Sequence, residues 1–166
     1  MEKPNTRKTL ENSDVQGGAI VGLNQVCGIC AGTQVLTLDG ALAIEFLTPG
    51  DRVVTRSGVR ALHSIEFRQI KTTPYRLVSS ALGKGRPEED MLLPPGQKIL
   101  IRDWQAKALF NQPSELVQVS DLVDGRFIRE GNASVLRLFS LRFSNDEICY
   151  AGGLELLCPA REQSIA

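Results

Sequence analysis

Apolar and polar residues alternate over short stretches of this chain instead of recurring at helical spacing. Val35 and Thr37 lead into Asp39-Gly40, and Leu42, Ile44 and Phe46 continue the period of two beyond it. That period sends successive side chains to opposite faces of a strand. Asp-Gly between two such runs predicts a tight hairpin, because both residues tolerate positive φ. Thr48-Pro49-Gly50-Asp51 fits a type II turn, with proline presetting φ and glycine supplying the positive φ that follows. Val53-Val54 and Ala61-Leu62 flank another turn at Arg56-Ser57-Gly58, and Thr73 to Ser80 reads as a strand. "GKGRPEED" (Gly83 to Asp90) is a solvated loop and "LPPGQ" (Leu93 to Gln97) a further turn. Only short helices fit: one around Gln105 to Phe110 and a single turn around Ser120 to Val123. Many short strands with regular turn signals predict an all-β domain.

One spacing occurs twice. The pattern [IV]-x-x-L-x-x-G-x-x-[VI] falls on Ile44, Leu47, Gly50 and Val53, and again on Val119, Leu122, Gly125 and Ile128. Read as a duplication, it describes a strand-turn unit used twice about a pseudo-two-fold axis; such spacing also arises by chance in β proteins. Residues 1–25 are polar, lack a sustained period and contain Gly17-Gly18, so they read as a flexible N-terminal tail. The domain is expected over 26–159, with 160–166 a C-terminal tail.

Charge narrows the partners. Nineteen basic residues balance nineteen acidic ones and the two signs are interspersed, so nothing in the chain favours nucleic acid or an anionic membrane. No segment approaches the roughly 18 apolar residues of a membrane span, and "AIVGL" (Ala19 to Leu23) is too short for a signal peptide. The expected setting is the cytoplasm, and the expected partner, if any, another protein. Four cysteines are too few for a disulfide scaffold in a chain of 166 residues.

The stretch "AGTQVLTLDGALAIEFLTPGDRVVTRSG" (Ala31 to Gly58) resembles the opening of hedgehog/intein (Hint) domains, in particular the bacterial stand-alone type. "ILIRDWQAKALF" (Ile99 to Phe110), "LVDGRFI" (Leu122 to Ile128) and "LRFSNDEICYAGGLE" (Leu141 to Glu155) are similar to later blocks of that family, in the right order. The resemblance implies an all-β, horseshoe-like Hint fold built from two pseudo-two-fold symmetric halves. It also implies a chemistry. Members that process themselves move the peptide bond preceding a cysteine onto its thiol. That step needs an activated thiol, a proton donor for the departing nitrogen and donors that stabilise the oxyanion.

This chain departs from the family at each of those places. The family cysteine stands four residues before the glycine of Gly-Thr, and counting back from Gly32 lands on Gly28, between Cys27 and Cys30. The family's Ser-Pro-x-His element matches "PPGQ", so Gln97 stands where the histidine would be, and Ser140 and Asp146 hold the later histidine positions. Glutamine and serine do not titrate near neutral pH. A slip of the loop would bring Cys27 or Cys30 to the nucleophile position, which makes them the candidate catalytic residues, but no slip restores an imidazole. The resulting expectation is a Hint-like domain that has lost self-processing and acts as a binding or structural module. Two alternatives stay open: a self-processing domain using Cys27 or Cys30, and a thiol- or zinc-based regulatory protein.

The remaining constellations have bland readings. His63, the sole histidine, shares one face with Ala61, Ile65 and Phe67 if the strand pattern holds. Cys27-x-x-Cys30 has half of a zinc spacing, but Cys149 and Cys158 lie too far apart in sequence to supply the other half; they read as small core residues. Neither a metal nor a cofactor is expected. Elemental analysis of the purified, reduced protein should therefore find no stoichiometric zinc; about one zinc per chain, lost on Cys27→Ala or Cys30→Ala, would overturn this.

Overall fold

A computed structural model describes residues 25–160. The expected tails lie outside the described residues, apart from the border positions Gln25 and Ala160. Fourteen strands and one α-helix make up the described chain. In order they are β1 (Ile29–Cys30), β2 (Gln34–Thr37), β3 (Gly40–Ala43), β4 (Arg52–Thr55), β5 (Gly58–Ala61), β6 (Ser64–Thr72) and β7 (Tyr75–Leu77). There follow β8 (Met91–Leu93), β9 (Lys98–Arg102), α1 (Asp103–Phe110), β10 (Ser114–Gln118), β11 (Ile128–Glu130), β12 (Ser134–Arg142), β13 (Glu147–Ala151) and β14 (Leu154–Cys158). The domain is all-β, as the alternation predicts.

Three sheets share one core. Strands β10-β9-β14-β13-β2-β4-β5 form the largest, with β3 paired to β2; β1-β12-β6 and β11-β7-β8 form the other two. Period-two burial explains why the large sheet closes over apolar side chains: Val35, Val53, Ile99, Cys149, Ala151, Leu154 and Leu156 all face inward and are essentially inaccessible. Burying side chains of this size contributes about 1.5–3 kcal/mol each for the larger ones. The long strands β6 and β12 pair antiparallel along their full length, from Ser64 opposite Arg142 to Thr72 opposite Ser134.

The repeated spacing corresponds to a repeated structure. Ile44 and Val119 each open a short 3-10 turn, over Ile44–Phe46 and Val119–Leu122, and both are fully buried. Gly50 (φ 93°) and Gly125 (φ 74°) occupy the left-handed region, and Val53 and Ile128 then enter strands with buried side chains. The Thr48–Asp51 turn forms as expected: the Asp51 N–H donates to the Thr48 carbonyl at 3.1 Å, and the Thr48 N–H donates to Asp51 Oδ2 at 2.9 Å.

Several local expectations are corrected. The alternation through Leu42, Ile44 and Phe46 does not continue as a strand, because the chain bends into a 3-10 turn at Ile44 and leaves Phe46 exposed. The Asp39-Gly40 hairpin uses positive φ only at Gly40. Thr37 Oγ1 donates across that loop to the Gly40 carbonyl at 2.7 Å, and Thr55 repeats the bond to Gly58 at 2.6 Å. The strand expected over Thr73 to Ser80 shrinks to β7. Pro74 lacks an N–H and separates β6 from β7, and Ser80 turns at φ 62°. His63 does not lie on a strand face: it sits exposed in the break between β5 and β6, its N–H donating to the Arg142 carbonyl at 2.8 Å.

Buried carboxylates tie the β4–β5 hairpin to the centre of the sheet. Glu155 Oε1 and Oε2 accept from Arg56 Nη1 at 2.7 Å and Arg102 Nε at 2.6 Å. Glu147 accepts from Ser57 and from Arg60 Nε at 3.3 Å. Each acid is thus satisfied by several donors, which a buried carboxylate requires.

The second repeat carries a titratable support. Asp124 Oδ1 accepts the N–H groups of Ile128, Arg126 and Phe127 at 2.9, 2.8 and 2.8 Å, and these bonds hold its carboxyl below the usual aspartate range. A folded pKa below the unfolded one gives stability that is present above the ordinary aspartate pKa and lost as pH falls through the folded value. Asp124→Ala should cost at most about 1 kcal/mol at neutral pH, because the group is solvent-screened. Urea titrations at several pH values should show that difference shrinking below about pH 4; a pH-independent difference would contradict the assignment.

Candidate functional site

The turn at Pro94–Gln97 sets the geometry. The Gln97 N–H closes it onto the Pro94 carbonyl at 3.1 Å, and the Gln97 carbonyl accepts the Val119 N–H at 2.9 Å, at the start of the second repeat. The N-terminal segment crosses directly over this turn. The Gly96 N–H donates to the Val26 carbonyl at 2.8 Å. A Cβ at Gly96 would meet the Gln25 backbone at 2.6 Å, so only glycine permits so close a crossing.

Gln97 is 1% exposed, and its carboxamide is fully used. Oε1 accepts the Gly28 N–H at 2.9 Å, while Nε2 donates to the Lys98 and Leu157 carbonyls at 3.0 Å each. One partner is a donor and two are acceptors, which fixes the orientation of the amide. The Cys27 carbonyl, on the other side of the same peptide bond, accepts a long contact of 3.4 Å from Arg68 Nη2. The Cys27–Gly28 peptide is therefore held at both its nitrogen and its oxygen.

Gly28 has no side chain to react. Its φ of 140° lies in the region that favours glycine, and a Cβ there would meet Leu138 Cβ at 3.2 Å and the Phe139 carbonyl at 3.3 Å. A cysteine at this position would be both strained and crowded.

The candidate residues from the sequence divide among three places. Cys27, Gly28, Gln97 and Ser140 line one small cavity of about 10 Å³, together with Cys158 and Pro159. Cys30 is elsewhere. It lies in β1 opposite Leu138 and lines a separate open groove of about 480 Å³, with Thr33, Glu88, Asp90 and Met91. Burial pushes its thiol up to about 11, which leaves roughly one molecule in 10⁴ as thiolate near neutral pH. Asp146 is exposed and accepts the Ala160 N–H at 2.7 Å, holding the chain just past β14.

Cys158 is the residue that the sequence reading left out of the site. It lines the cavity with Gln97 while its Sγ lies 3.3 Å from Cys149 Sγ, and its thiol is driven upward by the hydrogen bond to Cys149 and by burial. Its place as the last residue of the last apolar strand, before Pro159, was legible; its approach to Gln97 was not, because that depends on β9 and β14 pairing at Ile99 and Leu156. Among the described residues, no three His, Cys, Asp or Glu side chains converge to hold a metal ion.

The cavity can position a peptide bond, but Gln97 and Ser140, at the positions likened to family histidines, offer no proton near neutral pH. Gln97 and Ser140 do not ionise there, and Cys158 stays a protonated thiol.

Comparison with known proteins places this architecture. A bacterial intein-like domain from Clostridium thermocellum, solved in solution, is similar over 81% of this chain and 99% of its own, with a TM-score of 0.54 at 16% identity. The gp41-1 intein aligns over 79% of this chain and 98% of its own, with a TM-score of 0.42 at 15% identity. No curated protein sequence matches. The sequence profile of the Hint domain covers residues 27–156. The chain belongs to the Hint domain family.

Proposed function

We propose that this Hint domain no longer processes itself and serves as a binding or structural module. One observation supports the reading: the N–H of Gly28, which motif spacing likens to the family nucleophile position, is held at 2.9 Å by Gln97, which it likens to the histidine position. In the acyl shift a side chain attacks the carbonyl of the residue before it, and the nitrogen leaves with a proton. Gly28 supplies no thiol. Gln97 accepts from the nitrogen but has no proton to release at neutral pH. What remains of the machinery is a clamp on an intact peptide bond.

The neighbouring thiols lack a positioned acid. Cys27 would attack the Val26 carbonyl, which the Gly96 N–H polarises, but neither Gln97 nor Ser140 nearby can protonate the departing nitrogen. Cys30 would have to attack the Ile29 carbonyl from within β1, and burial keeps its thiol protonated. Losing a positioned acid slows such a step about 10²–10⁴-fold. The module is read as spanning 26–159 and as cytoplasmic, with a protein as its partner. Its balanced charge supports neither a nucleic acid nor an anionic membrane as ligand. Among the described residues, no helix is long and apolar enough to cross a membrane.

Intact mass spectrometry after overnight incubation with and without dithiothreitol should show one full-length species. A thiol-dependent fragment ending at Val26 or Ile29, abolished by Cys27→Ala or Cys30→Ala, would establish self-processing instead.

The structural role of Gln97 has its own signature. Gln97→Ala removes the partner of one buried N–H and two carbonyls and should destabilise the fold by about 1–3 kcal/mol in urea titrations. Gln97→His should leave the chain uncleaved, because the thiol at position 28 is still missing.

A further inference from the structure

Cys149 and Cys158 face each other across the hairpin of β13 and β14. Cys149 pairs with Leu156 and Glu147 with Cys158, so the two cysteines stand diagonally on one face of the sheet. Both are thiols and both are buried, at 0% and 3% exposure. Their Sγ atoms are 3.3 Å apart, while a disulfide spans about 2.05 Å. Both belong to the apolar core, and Cys158 also lines the small cavity with Cys27 and Pro159.

We propose that Cys149 and Cys158 form an oxidation site, a buried dithiol that a small peroxide converts to an intramolecular disulfide. Hydrogen peroxide oxidises the Cys158 sulfur to a sulfenic acid, releasing one water. The Cys149 sulfur then displaces the hydroxyl from that sulfenic sulfur, and its proton leaves with the hydroxyl as a second water. Two thiols are oxidised and one peroxide is reduced. Since burial disfavours the thiolate at Cys158, the reaction is slow beside that of an exposed thiol, and the bond once made is shielded from reductants. The cross-link pins the end of β14. There the Leu157 carbonyl accepts from Gln97 and the Pro159 carbonyl accepts from Arg142 Nη1 at 2.8 Å, so oxidation would stiffen the clamp on Gly28.

The test uses the full chain, reduced, desalted and exposed to hydrogen peroxide under native conditions. It is then denatured, alkylated with iodoacetamide and peptide-mapped. The expected result is a Cys149–Cys158 cross-linked peptide with neither residue alkylated, an intact mass lower by two hydrogens, and a higher thermal midpoint. Dithiothreitol added in denaturant should reverse all three. In Cys149→Ala the resolving thiol is gone, and dimedone should trap the sulfenic acid at Cys158. Should that variant not fold, the map of the unsubstituted chain decides alone. Full alkylation of Cys149 and Cys158 after peroxide, or a disulfide joining any other pair, would overturn the proposal.

Discussion

The carboxamide of Gln97 is the interaction on which the ordered arrangement of this domain turns. It joins three segments distant in sequence: the entry strand at Gly28, the start of β9 at Lys98 and the end of β14 at Leu157. Each bond satisfies a backbone group from a buried side chain, and a buried group left unbonded costs about 1–3 kcal/mol. A primary amide is the side chain that fits, because it offers an acceptor to one partner and two donors to the others. An imidazole has only two ring nitrogens and meets fewer of these demands. Glutamine at this position thus completes the hydrogen bonding of the three segments.

Glycines permit the crossing that brings these groups together. Gly96 lets the Gln25 backbone lie against it, and Gly28 adopts a φ that a side chain would resist. Around them the two repeats supply a stable frame. Buried Ile44 and Val119 anchor equivalent 3-10 turns, and β6 against β12 joins distant parts of the chain through a nine-residue antiparallel ladder. The site is consequently held by packing and hydrogen bonds that need no catalytic group.

Much of the fold was legible because its signals are local. Alternating apolar positions, Thr48-Pro49-Gly50-Asp51, and the twice-used spacing at Ile44 and Val119 each depend on residues within a few positions of one another. The misreadings arose where a local rule was overridden. The 3-10 turn at Ile44 interrupts a period that looked continuous to Phe46, and Pro74 divides an extended run. His63, read as a strand residue, fell in the gap between two strands.

By itself, the sequence determined that the chain is an all-β Hint domain, and its motif spacing singled out Gly28 and Gln97. Those facts rest on residue identity and short spacing. Tertiary structure alone decided which groups meet. Cys27 and Cys30, three residues apart, line different cavities because β1 intervenes, whereas Cys158 reaches Gln97 through the pairing of β14 with β9. Asp146 turns to Ala160. Long-range strand register sets these distances, and register is a property of the whole core, since a one-residue slip would send every inward side chain to the other face.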